Sequence, residues 1–158
     1  MTMNYNETMN MDKVDFGDLA PQPFLLGLLS AFDNRYQAVA DRCIGEITWK
    51  QFFAVICINI CKAPPTLNEL SDIMESSHQN VKQIILKLEK KGFVETFTDE
   101  KDKRKQRIKL TDSCREFCAR NDEFSREIVG KIFVGISEQD LMATIKTIMQ
   151  MERNLNTI

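Results

Sequence analysis

The feature that most limits this chain is a change of period at Gly92. Before it, Val81, Ile84, Ile85 and Leu88 recur at i, i+3, i+4 and i+7, the spacing of a helix with one apolar face. After it, residues 93–97 and 106–110 alternate as short strands do, joined by the charged run from Thr98 to Lys105. A glycine at the junction suits the left-handed stop that ends many helices. A short helix must also precede this segment. Pro64 and Pro65 break the chain, and Thr66 with Glu69 then forms a capping box, the hydroxyl taking one backbone N–H and the carboxylate returning to another.

The same chemistry marks other helix starts. Thr48 with Gln51 opens a helix that places Trp49, Phe52, Phe53, Ile56 and Ile60 on one face, expected to be core first. Ser137 with Asp140 opens another, running through Leu141, Ile145, Ile148 and Met149 to the C-terminus. Thr111 is expected to cap a helix carrying Cys114, Phe117, Cys118, Phe124, Ile128 and Ile132 inside. From Phe24, apolar residues at Leu25, Leu28, Leu29, Phe32, Tyr36, Val39 and Cys43 predict a first long helix, with Leu26 and Ala31 off its stripe. Residues 1–17 carry no period and are expected to form a loose arm.

Two short helices followed by a two-stranded ribbon with a charged tip spell a winged helix-turn-helix. The chain therefore reads as mainly α with a small β wing. The boundaries expected are an arm and first helix over 1–46, a DNA-binding winged helix over 47–111, and helices over 112–158. The apolar excess of the terminal helices reads as an ordinary three-helix core or, in preference, as dimerisation helices.

Charge sharpens that reading. The formal net charge of −2 argues against nucleic acid when taken whole. Split along the chain, residues 1–61 carry −3, residues 62–109 carry +3 and residues 110–158 carry −2. From Lys101 to Lys109 there are six basic residues and one acid, Asp102. Such a ribbon tip suits phosphate or the minor groove. With Val81, Ile84, Ile85 and Leu88 facing inward, the helix begun by Ser76 or Ser77 presents Gln79, Gln83 and Lys90, flanked by Lys82, Leu86 and Lys87. Gln can pair with adenine, and Lys with guanine or phosphate. Leu86 would meet a thymine methyl or a neighbouring helix. His78 stands in the first turn, as a surface or capping imidazole, a phosphate or base contact, or, least expected, a metal ligand. The expected DNA-contacting set is Ser76, Ser77, His78, Gln79, Lys82, Gln83, Lys87, Lys101, Asp102, Lys103, Arg104 and Lys105.

Residues 65–111 resemble the MarR family of bacterial transcription regulators. The resemblance rests on Leu88, Glu89, Lys90 and Lys91 ahead of Gly92, on Asp102, Lys103 and Arg104 in the wing, and on the closing Lys109, Leu110 and Thr111. It implies a cytoplasmic homodimer built by intertwined terminal helices, a repressor that sets one winged helix on each half of a palindromic double-stranded operator. It also implies that Arg104 enters the minor groove while Asp102 orients it, and that a small aromatic or anionic effector binds between the dimer helices and the winged helix. Trp49, Phe52 and Phe53 are the candidates for that pocket's wall. Redox sensors of the family use a thiol near the N-terminus, and this chain has none before Cys43.

Other classes find little material. No apolar run reaches the roughly 20 residues of a membrane span, and no secretory leader is expected from the first residues. One histidine and six scattered glycines supply neither a nucleophile–base pair nor a phosphate loop, so an enzyme and a cofactor are not expected. Cys57 with Cys61 and Cys114 with Cys118 are each spaced four apart on a helix. They can be read as zinc ligands or redox sensors, but they lie on or beside apolar stripes, where cysteine acts as a small hydrophobe. A winged helix that docks on acidic protein surfaces, or a cysteine-based redox regulator, are the alternatives.

Overall fold

The computed structural model describes residues 19–158, with the Phe124 side chain excepted. The arm expected over 1–17 lies outside the described residues. The chain divides into two compact units, the first reaching Leu110 and the second spanning Thr111–Ile158.

In the first unit, α1 (Pro21–Ile44) leads into α2 (Trp49–Ile60), α3 (Leu67–Ile73) and α4 (His78–Lys90). Strands β1 (Val94–Thr98) and β2 (Gln106–Leu110) follow as an antiparallel ribbon with Val94 opposite Leu110 and Thr98 opposite Gln106. Ribbon and helices are tied by a further bridge that the alternation did not announce. Thr66 pairs with Arg107, and the Ile108 N–H donates to the Pro65 carbonyl at 2.9 Å. The stretch after the proline break thus lies on the outer edge of β2.

The expected caps form. Thr48 and Thr66 each accept from the backbone N–H three residues on, and Gln51 and Glu69 answer the cap's own N–H at 3.1 and 2.7 Å. Ser77, not Ser76, caps α4. Gly92 closes α4 at φ 73°, with its N–H on Glu89 and the Phe93 N–H on Leu88, a Schellman stop that needs the left-handed conformation.

The core gathers Ile47, Ala54, Val55, Cys57, Ile58, Leu70, Val81, Ile84, Ile85, Leu88, Phe93, Val94, Ile108 and Leu110. The face of α2 requires a correction. The residues that reach the core are Gln51, Ala54, Val55, Cys57 and Ile58, whereas Trp49, Phe52, Phe53 and Ile56 are half-buried and Ile60 is 67% exposed. Nearly every side of α2 is apolar, so spacing alone cannot choose among its faces. Smaller Ala54 and Cys57 let neighbouring backbones approach, and the buried Gln51 amide is occupied in the capping box. On α1, Phe32 likewise stands outside the core, and Ala40 is the buried residue.

The second unit holds α5 (Asp112–Ile132) and α6 (Glu138–Leu155), capped by Thr111 and Ser137. In the Ser137 cap the hydroxyl also donates to the Asp140 carboxylate at 2.6 Å, so Asp140 answers the side chain rather than the backbone N–H. Cys114 and Phe117 are fully buried, and Cys118, Ile128 and Ile132 half-buried. No residue of α6 is buried.

Candidate nucleic-acid interface

Helix α4 is divided cleanly by its apolar stripe. With Val81, Ile84, Ile85 and Leu88 all inside, Ser77, His78, Gln79, Lys82, Gln83, Lys87 and Lys90 are left exposed, and Ser76 is half-buried. The N-terminal turn is built by two hydrogen bonds. Ser77 Oγ accepts from the Asn80 N–H at 3.3 Å, and the Asn80 amide donates to Ser76 Oγ at 2.8 Å. Ser76 and Ser77 are therefore engaged in shaping the turn, and the longer side chains project from it. Leu86 lies on the same outer side and is 47% exposed. At the other end Lys91 is exposed but anchored, its ammonium donating to the Glu46 carbonyl at 2.6 Å.

The wing is organised by a residue that charge counting passed over. Asp99 is buried, and its carboxylate accepts the Arg107 guanidinium and the N–H groups of Lys101 and Asp102 at 2.7 and 2.8 Å. The Arg107 side chain, with these backbone donors, holds the Asp99 carboxyl well below the usual carboxylate range. Arg107 also donates to the Pro64 carbonyl at 2.7 Å and pairs with Glu69 at 3.7 Å. One guanidinium thus joins wing, proline break and the cap of α3. In the sequence Arg107 is one of six basic residues in a run that suits phosphate or the minor groove. The only signal available was its position on a strand where the alternation points it away from Ile108.

At the tip, Asp102 accepts from both the backbone N–H and the side chain of Arg104, at 3.1 and 3.3 Å. The Arg104 side chain remains 93% exposed. Lys105 approaches the other Asp102 oxygen at 4.0 Å, and Lys101, Lys103 and Lys105 are exposed. The Asp102–Arg104 pair that the resemblance implied is present in the geometry. It presents a cation at a wing tip whose base is fixed by Asp99.

Trp49, Phe52 and Phe53 come together on the half-exposed side of α2. Trp49 packs edge-on to Tyr36 at 4.7 Å and lies 6.1 Å from each of Phe52 and Phe53. Tyr36, Trp49 and Phe53 line a cavity of about 490 Å³ within the first unit. That volume falls in the range of small-molecule pockets. Phe52 is not among its lining residues.

The cysteines do not assemble a metal set, and no group of three or more potential ligands occurs among the described residues. Burial pushes the Cys57, Cys61, Cys114 and Cys118 thiols up, Cys114 to about 12. A thiol so disposed stays protonated and is a poor nucleophile. Among the described residues no single helix is long and apolar enough to cross a membrane.

Residues 47–105 match the model of the MarR family. The fold of the chain is similar to that of a MarR/EmrR family transcriptional regulator from Acinetobacter sp. ADP1, with a TM-score of 0.79 at 15% identity over 89% of this chain and 100% of that one. It is also similar to MepR of S. aureus, solved as a DNA complex, with a TM-score of 0.73 at 18% identity over 80% and 95%. BpsR of Bordetella bronchiseptica, whose DNA binding is regulated by 6-hydroxynicotinic acid, gives 0.73 at 19% identity over 86% and 98%. The resemblance read from the wing and its flanks is therefore upheld, as is the winged-helix fold.

Proposed function

Starting from a MarR-family domain over residues 47–105 within a chain of that fold, we propose that the protein is a sequence-specific DNA-binding transcription regulator. It acts as a dimeric repressor whose affinity a small molecule adjusts. Residues 47–111 form the DNA-binding domain, and 1–46 and 112–158 the dimerisation segments. The observation that carries the reading is the wing tip, where Arg104 is held by Asp102 yet almost wholly exposed. An arginine fixed in direction and bare of protein contacts beyond its own loop suits a narrow, electronegative groove.

The remaining assignments follow from the same surface. Gln79, Lys82 and Gln83, with His78 and Lys87, face the major groove, while Ser76 and Ser77 set the turn from which they project. Lys101, Lys103 and Lys105 lie along phosphates beside Arg104, oriented by Asp102. Dimerisation is supported by Val129, Phe133, Val134, Ile136, Met142, Ile145, Met149 and Leu155, all exposed on the second unit. A concentration of apolar side chains of this kind is what an obligate interface covers. The raised thiols weigh against a cysteine-based switch, and the family relationship weighs against an enzyme.

Selection from a random duplex library at low salt tests the proposal. It should return a palindrome with half-site centres about 10–10.5 base pairs apart, or a multiple of that. A chain that retains no duplex at low salt is instead a winged helix that docks on acidic protein surfaces.

A further inference from the structure

The cavity beside the aromatic cluster has a chemistry of its own. We infer that it takes a planar aromatic cation, and that its occupant acts on the turn that starts α4; this rests on the regulator reading above. The walls are the rings of Tyr36, Trp49 and Phe53. Flat ring faces favour a flat partner, and their quadrupole favours a cationic one.

The fixed charges point the same way. The ionisable carboxylates and ammonium on the lining are Asp33, Glu75 and Lys50, two acids against one base. Neither carboxylate has an ion-pair partner among the described residues. Among the described residues Asp33 accepts the neutral Gln37 amide, which leaves its charge in place. Three of the helix N–H groups nearby that an anion could use are already engaged. The Trp49 N–H donates to the Asp41 carboxylate, the Gln51 N–H to Thr48, and the Asn80 N–H to Ser77. Of the groups an anion would seek, Lys50 stands against two carboxylates.

The opposite wall belongs to the DNA-reading element. Ser76, Asn80 and Ile84 line the cavity, and Ser76 and Asn80 form the hydrogen bond that shapes the start of α4. Glu75, immediately before them, sits at φ 46°, a left-handed conformation rare for a residue with a β-carbon. A ligand drawn to Glu75 therefore pulls on the turn from which Gln79 and Lys82 project. Occupancy and DNA affinity are coupled through that turn.

The chain's one tryptophan is Trp49, so its fluorescence reports the cavity alone. The full chain is titrated with 1-methylquinolinium, and in parallel with 2-naphthoate, a flat anion of similar size. The cation should quench saturably and bind at least about tenfold more tightly than the anion. Asp33→Asn combined with Glu75→Gln should weaken the cation about tenfold without strengthening its competitor to the same extent, since two partly screened charges are removed. Lys50→Gln should move the two probes in opposite directions, tightening the cation and loosening the anion. Duplex affinity, read separately by anisotropy, should change at least about threefold when the cation saturates.

Equal affinity for both probes, no saturable quenching by the cation, or variants that leave the preference unchanged overturn the inference. So does saturation that leaves duplex affinity untouched. A chain that binds no duplex without either probe overturns the regulator reading instead. A chain that binds duplex but prefers naphthoate overturns only the cation.

Discussion

Helices α4 and α6 both carry apolar residues at helical spacing and share little else. In α4, Val81, Ile84, Ile85 and Leu88 are all buried. In α6, Leu141 and Ile148 are half-buried, Ile145 and Met142 are exposed, and Met149 is 54% exposed. The pattern states that a face will be covered, and not by what. For α4 the cover is the rest of the winged helix. For α6 no sufficient cover lies among the described residues, which is why a second copy enters the proposal. The two units thus differ in kind: a sealed winged helix, which the proposal makes the DNA reader, and a helical pair with an apolar face left open, which the proposal makes an interface.

The largest way to break that contrast is to remove a methyl cluster from each side of it. Leu88→Ala, at a site with no exposure, should destabilise the fold by about 2–5 kcal/mol in a denaturant titration. A cost near zero would mean that α4 is not sealed as described. Ile145→Glu with Met149→Glu should leave the far-UV spectrum of the first unit's helices in place. It should weaken self-association at least about a hundredfold by sedimentation, as expected from two lost apolar contacts. If sedimentation is unchanged, α6 is not the interface.

Smaller effects sharpen the comparison inside the reader. Asp99→Asn removes the charge that receives Arg107 and should weaken duplex binding about fivefold through a loosened wing, with the secondary structure retained. The sign of its pH dependence follows from a depressed carboxyl. The contribution is present above the ordinary carboxylate pKa of about 3.9 and is lost only as pH falls through the lower folded value. Wild-type duplex affinity should therefore show no step from Asp99 between about pH 5 and 8. For Cys114 the direction is reversed. Its thiol is raised by burial, chiefly, and by Cys118, so stability should decline as pH climbs from about 9, where the unfolded thiol ionises, toward about 12. Cys114→Ala should flatten that decline, and an unchanged alkaline limb would remove Cys114 as its source.

Much of the reader was legible before any coordinates. The stripe of α4, the stop at Gly92, the caps at Thr48, Thr66, Thr111 and Ser137, and the ribbon all follow from local rules, and local rules act through neighbours in sequence. What was not legible depends on distant parts of the chain. The inward face of α2 could not be chosen because Trp49, Phe52 and Ile56 are as apolar as Ala54, Val55 and Ile58, so packing decided. Arg107 read as one more member of the basic run because two of its partners, Pro64 and Glu69, lie about forty residues upstream. Strand β1 ends at Thr98 and begins at Val94, one residue later than alternation suggested, because Phe93 is spent on the Schellman stop.

The central claim is that the fixed, exposed cation at the wing tip meets nucleic acid. It is tested most directly by the salt dependence of duplex binding for the wild type and for Arg104→Ala. The logarithm of the binding constant should fall linearly with the logarithm of salt concentration, with a slope of about −0.9 per phosphate contact. Arg104→Ala should lower the affinity about tenfold, reduce the steepness by about one, and leave the melting temperature unchanged. A salt-independent complex, or a variant that matches the wild type in affinity and slope, would contradict the account.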